Sequence, residues 1–236
     1  MRDPSGVWVL SLCVAGVVVL SLIHRRHMAR ACADRARLFE DCSGLVEDAV
    51  LVRRGLNFPL LQGRWRGHDI RVEPVIDTLS MRTLPVLWIV VTIRRHHDVA
   101  DRLSVLARAC GTEFYARHNQ MGVPVPMGPE WPDEVSVRST LRGVAAERPE
   151  LLERIGAAMG DGSVKQIVLG PSSARVVWKC ATAESGTYRV TRRVDLTQAR
   201  VDARALEDVL NAVDEITELF TRCVAAPAAL PQQAVR

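Results

Sequence analysis

Residues 60–93 read LLQGRWRGHDIRVEPVIDTLSMRTLPVLWIVVTI, and their periodicity points to the fold class. As far as Asp77, polar and apolar residues alternate around Gly67-His68, the pattern of a hairpin with one buried face. In that reading Trp65, Ile70 and Val72 face the core and Arg71 points away. From Leu84 to Ile93 the chain is almost wholly apolar. That stretch is too short to cross a bilayer as a helix, and its β-branched content favours a buried strand. Leu103 to Ala109 reads as a fourth strand.

Toward the C-terminus, residues 110–133 carry Gly111, Gly122, Pro124, Pro126, Gly128, Pro129 and Pro132, and read as a long loop and internal breakpoint. Loops of that length are usually functional or mobile. Pro149 opens a helix at a position where proline is tolerated, and Gly160 ends it; Leu151, Leu152, Ile155 and Met159 form its apolar face. Three further strands are predicted at Val164–Leu169, Arg175–Cys180 and Thr187–Val194, with turns at Gly170-Pro171 and Glu184-Ser185-Gly186. A last helix spans Asp202 to Cys223, its inner face formed by Leu206, Leu210, Val213, Ile216 and Phe220. Residues 224–236 read as a disordered tail. Strands that cluster in hairpins predict an α+β domain over residues 56–223, with antiparallel sheet and two packed helices.

Toward the N-terminus lies a different kind of segment. After a flank of residues 1–6, Val7–Ile23 reads VWVLSLCVAGVVVLSLI without a charge. At ~1.5 Å per residue such a helix approaches the ~30 Å of a hydrocarbon core. It predicts a transmembrane anchor. A cleaved signal peptide is the rival, with Ala31-Cys32-Ala33 as the cleavage site. Signal peptides, however, carry their positive charge before the apolar run, and here it follows. Arg25, Arg26 and Arg30, with Arg35 and Arg37, come after the span, against Arg2 alone before it. The positive-inside rule places the large domain in the cytoplasm of a single-pass inner-membrane protein. The same arginines are positioned to meet anionic headgroups. Residues 24–55 read as a juxtamembrane helix with a stripe of Phe39, Cys42, Val46 and Val50. Arg53, Arg54 and Gly55 are its stop signal.

Composition narrows function mainly by exclusion. A net charge of +4 is not the footprint of a nucleic-acid binder. Among 31 basic residues only Lys165 and Lys179 are lysine, a bias that fits a GC-rich genome. The six cysteines are scattered, without the pairing of a zinc site or a disulfide framework, and fit a reducing compartment. No phosphate loop, dinucleotide fingerprint, nucleophile elbow or zinc-protease motif occurs, so no catalytic residue, metal or cofactor is predicted. In Arg94-Arg95-His96-His97-Asp98, adjacent strand residues face opposite ways, so the two histidines do not share a ligand. His68, Glu73 and Asp77 around the first hairpin, and His118 in the long loop, are the candidates for a ligand or partner site. Asp77 more often caps a turn. The last helix carries Asp202, Glu207, Asp208, Asp214, Glu215 and Glu218 against Arg204. That is a candidate docking face for a basic partner or, more plainly, the wet side of an amphipathic helix.

Two blocks, residues 57–93 and VKQIVLGPSSARVVWKCATAESGTYRVTRRVDL at residues 164–196, resemble an uncharacterised family of single-pass membrane proteins from GC-rich bacteria. The resemblance implies an anchor followed by a cytoplasmic α+β domain, and no activity. Two expectations follow. The first is a membrane-tethered interaction or scaffold module. The alternative is a membrane-bound enzyme or small-ligand sensor with a site near Asp77 and the 110–133 loop.

Overall fold

The computed structural model describes residues 4–225 apart from 54, 56, 79–83, 96–99, 110, 112, 128–130, 132–133, 142–147, 161 and 193. It begins with one long helix, α1 (Pro4–Ala36), which runs into a 3₁₀ segment, Arg37–Cys42. Among the described residues nine strands follow: β1 (Glu47–Val52), β2 (Leu60–Trp65), β3 (His68–Asp77), β4 (Val86–Arg94), β5 (Leu103–Ala107), β6 (Val123–Val125), β7 (Val135–Ser139), β8 (Val164–Gly170) and β9 (Ser173–Thr182). Helix α2 (Pro149–Met159) lies between β7 and β8; α3 (Ser185–Thr191) and α4 (Ala203–Ala225) close the chain. All strands join one antiparallel sheet in the order β1-β2-β3-β4-β9-β8-β5-β7-β6.

The period-2 pattern sorts side chains to the two faces as the sequence implied. One face carries Leu61, Trp65, Ile70, Val72, Leu87, Ile89, Val91, Ile93, Leu103, Val105, Val137, Ile167, Leu169 and Val176. Helices α2 and α4 pack over it with their predicted stripes: Leu151, Leu152, Ile155 and Met159 from one, Leu206, Leu210, Val213, Ile216 and Phe220 from the other, all buried. The β2–β3 turn places Arg66 at φ 50° and Gly67 at φ 77°. Two consecutive left-handed residues match the right-handed twist of a two-residue hairpin, and glycine takes the second without steric cost.

Three expectations are corrected. Residues 24–55 are not one helix. The helix stops at Ala36, and residues 47–52 form β1 beside β2. Phe39, Cys42 and Val46 are buried as the stripe required, but Val50 is exposed. The β-branched run around Leu51 pairs as a strand, and Gly63 on β2 lets it approach. A Cβ at Gly63 would collide with the Val46 side chain and the Glu47 carbonyl. Gly55, at φ 57°, therefore follows a strand, not a helix.

The strand expected at residues 187–194 is replaced by a helix, since Ser185–Thr191 is α3. The reason lies in the sheet: β9 is flanked by β4 and β8, so its backbone groups are already paired on both sides. A hairpin partner after it has no edge to join. Finally, the 110–133 stretch is not all loop. His118–Gln120 is a 3₁₀ turn and Val123–Val125 is β6, while β7 was not anticipated at all. Met127 and Trp131 pack against the helix-covered core, so this segment wraps the sheet. The predicted tail beyond residue 225 lies outside the described residues.

Candidate functional site

Among the described residues, neither α2 nor α4 lies over the sheet's second face. Near its middle, Trp88, Val90 and Val177 form a small apolar patch, covered by Tyr115 from the wrapping segment. The Trp88 and Tyr115 ring centroids are 6.2 Å apart, and Phe114 meets Tyr115 edge-on at 5.3 Å. Around this patch the strands place polar side chains at the alternate positions that avoid the main core: Ser104 and Gln166 are buried, Arg175 is half-buried and Ser136 is exposed.

His118 is 5% exposed and sits between two hydroxyls. Its Nδ1 is 2.9 Å from Ser104 Oγ and its Nε2 is 3.0 Å from Ser136 Oγ. Gln166 Nε2 donates to Ser104 Oγ at 3.3 Å. A neutral imidazole satisfies both contacts, accepting at one nitrogen and donating at the other. Burial lowers the His118 pKa; Arg138 lowers it further and Glu113 opposes the shift. Beside it, Lys165 and Glu113 form an ion pair at 2.9 Å, each side chain 6% exposed. Lys165 also donates to the Arg108 carbonyl. Arg175 donates to the Tyr115 carbonyl at 2.8 Å. Burial draws its pKa below the usual value, with Glu73 opposing and Arg117 adding to the change.

The serine–histidine contact does not read as a nucleophile with its base. Ser104 is wholly buried beneath the segment, and the other ring nitrogen meets a second hydroxyl where a triad would hold an orienting carboxylate. These contacts pin residues 113–120 onto the sheet. His118 stands out in the sequence, whereas its serine partners do not. The signal was there: Ser104 interrupts the apolar LSVLA run, and a hydroxyl inside such a run needs a partner when buried.

The other candidates do not converge with it. Glu73 lies on the helix-free face and accepts from Arg71 Nη2 at 3.0 Å. Asp77 lies four residues along the same face, roughly 13 Å away by strand rise, at the strand end opposite Val86. His68 alternates onto the helix-covered face, opposite Trp65. Among the described residues no cluster of three or more His, Cys, Asp or Glu side chains suits a metal.

Beyond the pinned segment the helix-free face opens into a hollow of about 400 Å³, lined in part by Asp48, Gln62, Arg64, Asp69, Arg71 and Arg94. Its charges are mixed and partly matched: Arg64 pairs with Asp48, and Arg71 with Glu73. A second hollow, about 230 Å³ and mainly apolar, lies between α4, α2 and strands β8 and β9, beside Trp178 and Val209.

The acidic helix is less acidic to an outsider than its sequence suggests. Arg95 and Arg66 reach Asp214 at 3.1 and 3.4 Å, and Arg154 reaches Glu215 at 2.7 Å. Asp202 accepts the Ala205 amide at 2.8 Å as an N-cap. Glu207 and Asp208 remain exposed.

At the other end, α1 is long and apolar enough to cross a membrane. Trp8, Leu10, Leu12, Val17, Leu20 and Ile23 are more than half exposed. Arg25, Arg26 and Arg30 are exposed on the turns that follow. The junction below them is packed. Leu38 and Cys42 are fully buried; Val201 N donates to Leu38 O at 2.8 Å, and Cys42 Sγ to Val201 O at 3.3 Å. The helix thus leaves the domain from a fixed point beside the start of α4.

No protein-family model matches the chain, and no curated protein matches it. Among solved structures, it is similar to the crystal structure of the mycobacterial trehalose monomycolate transport factor A, TtfA. Identity is 10% and the TM-score 0.37, over 76% of this chain and 75% of that one. A likeness of that size carries no argument about fold, activity or partner.

Proposed function

We propose that the chain is a membrane-tethered interaction module. In this reading α1 crosses the inner membrane of a bacterium once, and the α+β domain lies on the cytoplasmic side. The observation that carries it is the contrast along α1: every described apolar residue from Trp8 to Ile23 faces outward, while Leu38, Phe39 and Cys42 just beyond are buried. Exposed apolar area of that extent is unfavourable in water at ~25 cal/mol per Å² and favourable in hydrocarbon. Arg25, Arg26 and Arg30 then lie at headgroup depth, where each contributes roughly 1 kcal/mol against an anionic surface. The packed junction makes the tether an orienting one: it sets how the sheet faces the bilayer. Glu207 and Asp208 are the acids of α4 left for a basic partner.

The test is a pair of C-terminal reporters, one active only in cytoplasm and one only in periplasm. Cytoplasmic activity in the membrane fraction is the expected result. Periplasmic activity, or full-length chain in the soluble fraction, overturns the reading.

A further inference from the structure

The two ends of the sheet are built differently. At one end β6 is three residues long with Pro124 at its centre. Proline has no N–H to offer, and a strand so short gives another chain little to pair with. At the other end β1 has six residues, all exposed, with neither proline nor lysine. Val50, Leu51 and Val52 are contiguous and 56%, 44% and 37% exposed. The first half of β1 is irregular, with a register shift between Glu47 and Val50 and Asp48 at φ 50°. The second half is regular, with Val50, Leu51 and Val52 opposite Gln62, Leu61 and Leu60. An open, apolar, regular edge is a template for a further strand.

The charges on β1 indicate which strand. The segment runs from Glu47 and Asp48 through Ala49-Val50-Leu51-Val52 to Arg53, acidic at its start and basic at its end. Turned end for end against itself, it sets Asp48 opposite Arg53, Ala49 opposite Val52 and Val50 opposite Leu51. In an in-register parallel pair the same residues would place Asp48 beside Asp48 and Arg53 beside Arg53, which is repulsive. Reciprocal pairing of this kind is the mark of a two-fold interface, where residue i meets j and j meets i. Asp48 already pairs with Arg64, yet its side chain remains 70% exposed, so a second cation has access.

We propose that β1 is a self-association edge, through which two copies of this chain pair antiparallel and join their two nine-stranded sheets into one. The proposal deepens the interaction-module reading and rests on it in one respect: two anchors in one bilayer raise the effective concentration of the edges.

The experiment uses the full-length chain in membranes, with the described exposed or half-exposed thiols removed by Cys13→Ser, Cys32→Ser and Cys180→Ser. Ala49→Cys and Val52→Cys are added together, and the sample is treated with a short bis-maleimide, which adds one thiol at each end to give two thioethers. That parent lacking the added cysteines supplies the background. The expected result is a covalent dimer above background, reduced about tenfold when Leu51→Lys is added, a change of roughly 1.4 kcal/mol in pairing. Leu51 is exposed, so lysine there leaves the fold intact, which circular dichroism of the purified variant checks. A chain that fractionates with membranes but gives no dimer above background overturns the proposal and leaves the tether standing. A dimer indifferent to Leu51→Lys means association elsewhere, and also overturns it. So does an environment-sensitive probe at Leu51→Cys that reports lipid contact independent of protein density, since β1 would then lie on the bilayer. Loss of the chain from the membrane fraction, read from the same sample, marks failure of the tether instead.

Discussion

The two faces of the sheet are made from the same strands and held by different physics. On the helix-covered face alternate residues are Leu, Ile and Val, and α2 and α4 close over them, so stability there comes from apolar burial without direction. On the other face the alternate residues include Ser104, Ser136, Gln166 and Arg175, and the cover is one short segment held by hydrogen bonds and an ion pair. The first arrangement tolerates local errors in position; the second depends on each partner being present, because an unpaired buried polar group is costly. Gln166 Oε1 and Trp88 Nε1 already lack a hydrogen-bond partner among the described residues.

The contrast is open to direct attack. The largest effect is expected on the covered face: Phe220→Ala, at a fully buried position, should lower unfolding free energy by about 3–5 kcal/mol in denaturant titration. A loss under ~1 kcal/mol would show that α4 is not the main lid. On the other face Glu113→Gln should cost nearly as much, about 3 kcal/mol, because it leaves Lys165 charged and buried. The double variant Glu113→Leu with Lys165→Met should recover most of that loss, since removing both charges removes the unmet desolvation. Failure to recover would make packing, rather than charge pairing, the reason the segment stays down.

The His118 pin should show as a pH dependence with a definite sign. Its folded pKa lies below the ordinary value of 6.5, so the unfolded chain binds the proton more readily. Its contribution to stability is complete above about pH 6.5, falls as pH drops from there toward the lower folded value, and is level beyond it. Unfolding free energy measured from pH 7.5 down should decline through that window, and His118→Gln should flatten the decline. The smallest effect is expected at Thr92, on the helix-free face beside fully buried Val91. Thr92→Ser should change stability by no more than ~0.5 kcal/mol, against a clear loss for Val91→Ala.

Segments whose structure follows from their own residues are legible in the sequence. The β2–β3 hairpin, the β4 run and the buried stripes of α2 and α4 fall where periodicity placed them. The misreadings share a cause. Val50 fits a helical stripe extended from Phe39, but the Val50-Leu51-Val52 run pairs as a strand beside β2, where Gly63 lets it come close. Thr187–Val194 has strand composition, but β4 and β8 occupy both sides of β9. For the candidate residues, sequence spacing suggested that Asp77, Glu73, His68 and His118 were comparable. Strand alternation sends His68 to one face and Glu73 to the other, and His118 is enclosed between Ser104 and Ser136.

Local pattern therefore sufficed for the apolar helix at the N-terminus, for the α+β class, and for the buried stripes of α2 and α4 and the inward residues of the β2–β3 hairpin. These depend on side-chain spacing within one element, which is readable along the chain. The order of the strands, the open edge at β1, the blunt one at β6 and the serines that grip His118 arise from pairings between residues far apart in sequence. Backbone hydrogen bonds are chemically alike at every position, so no single segment specifies its neighbour; the partner is settled only when all the strands compete for the same edges.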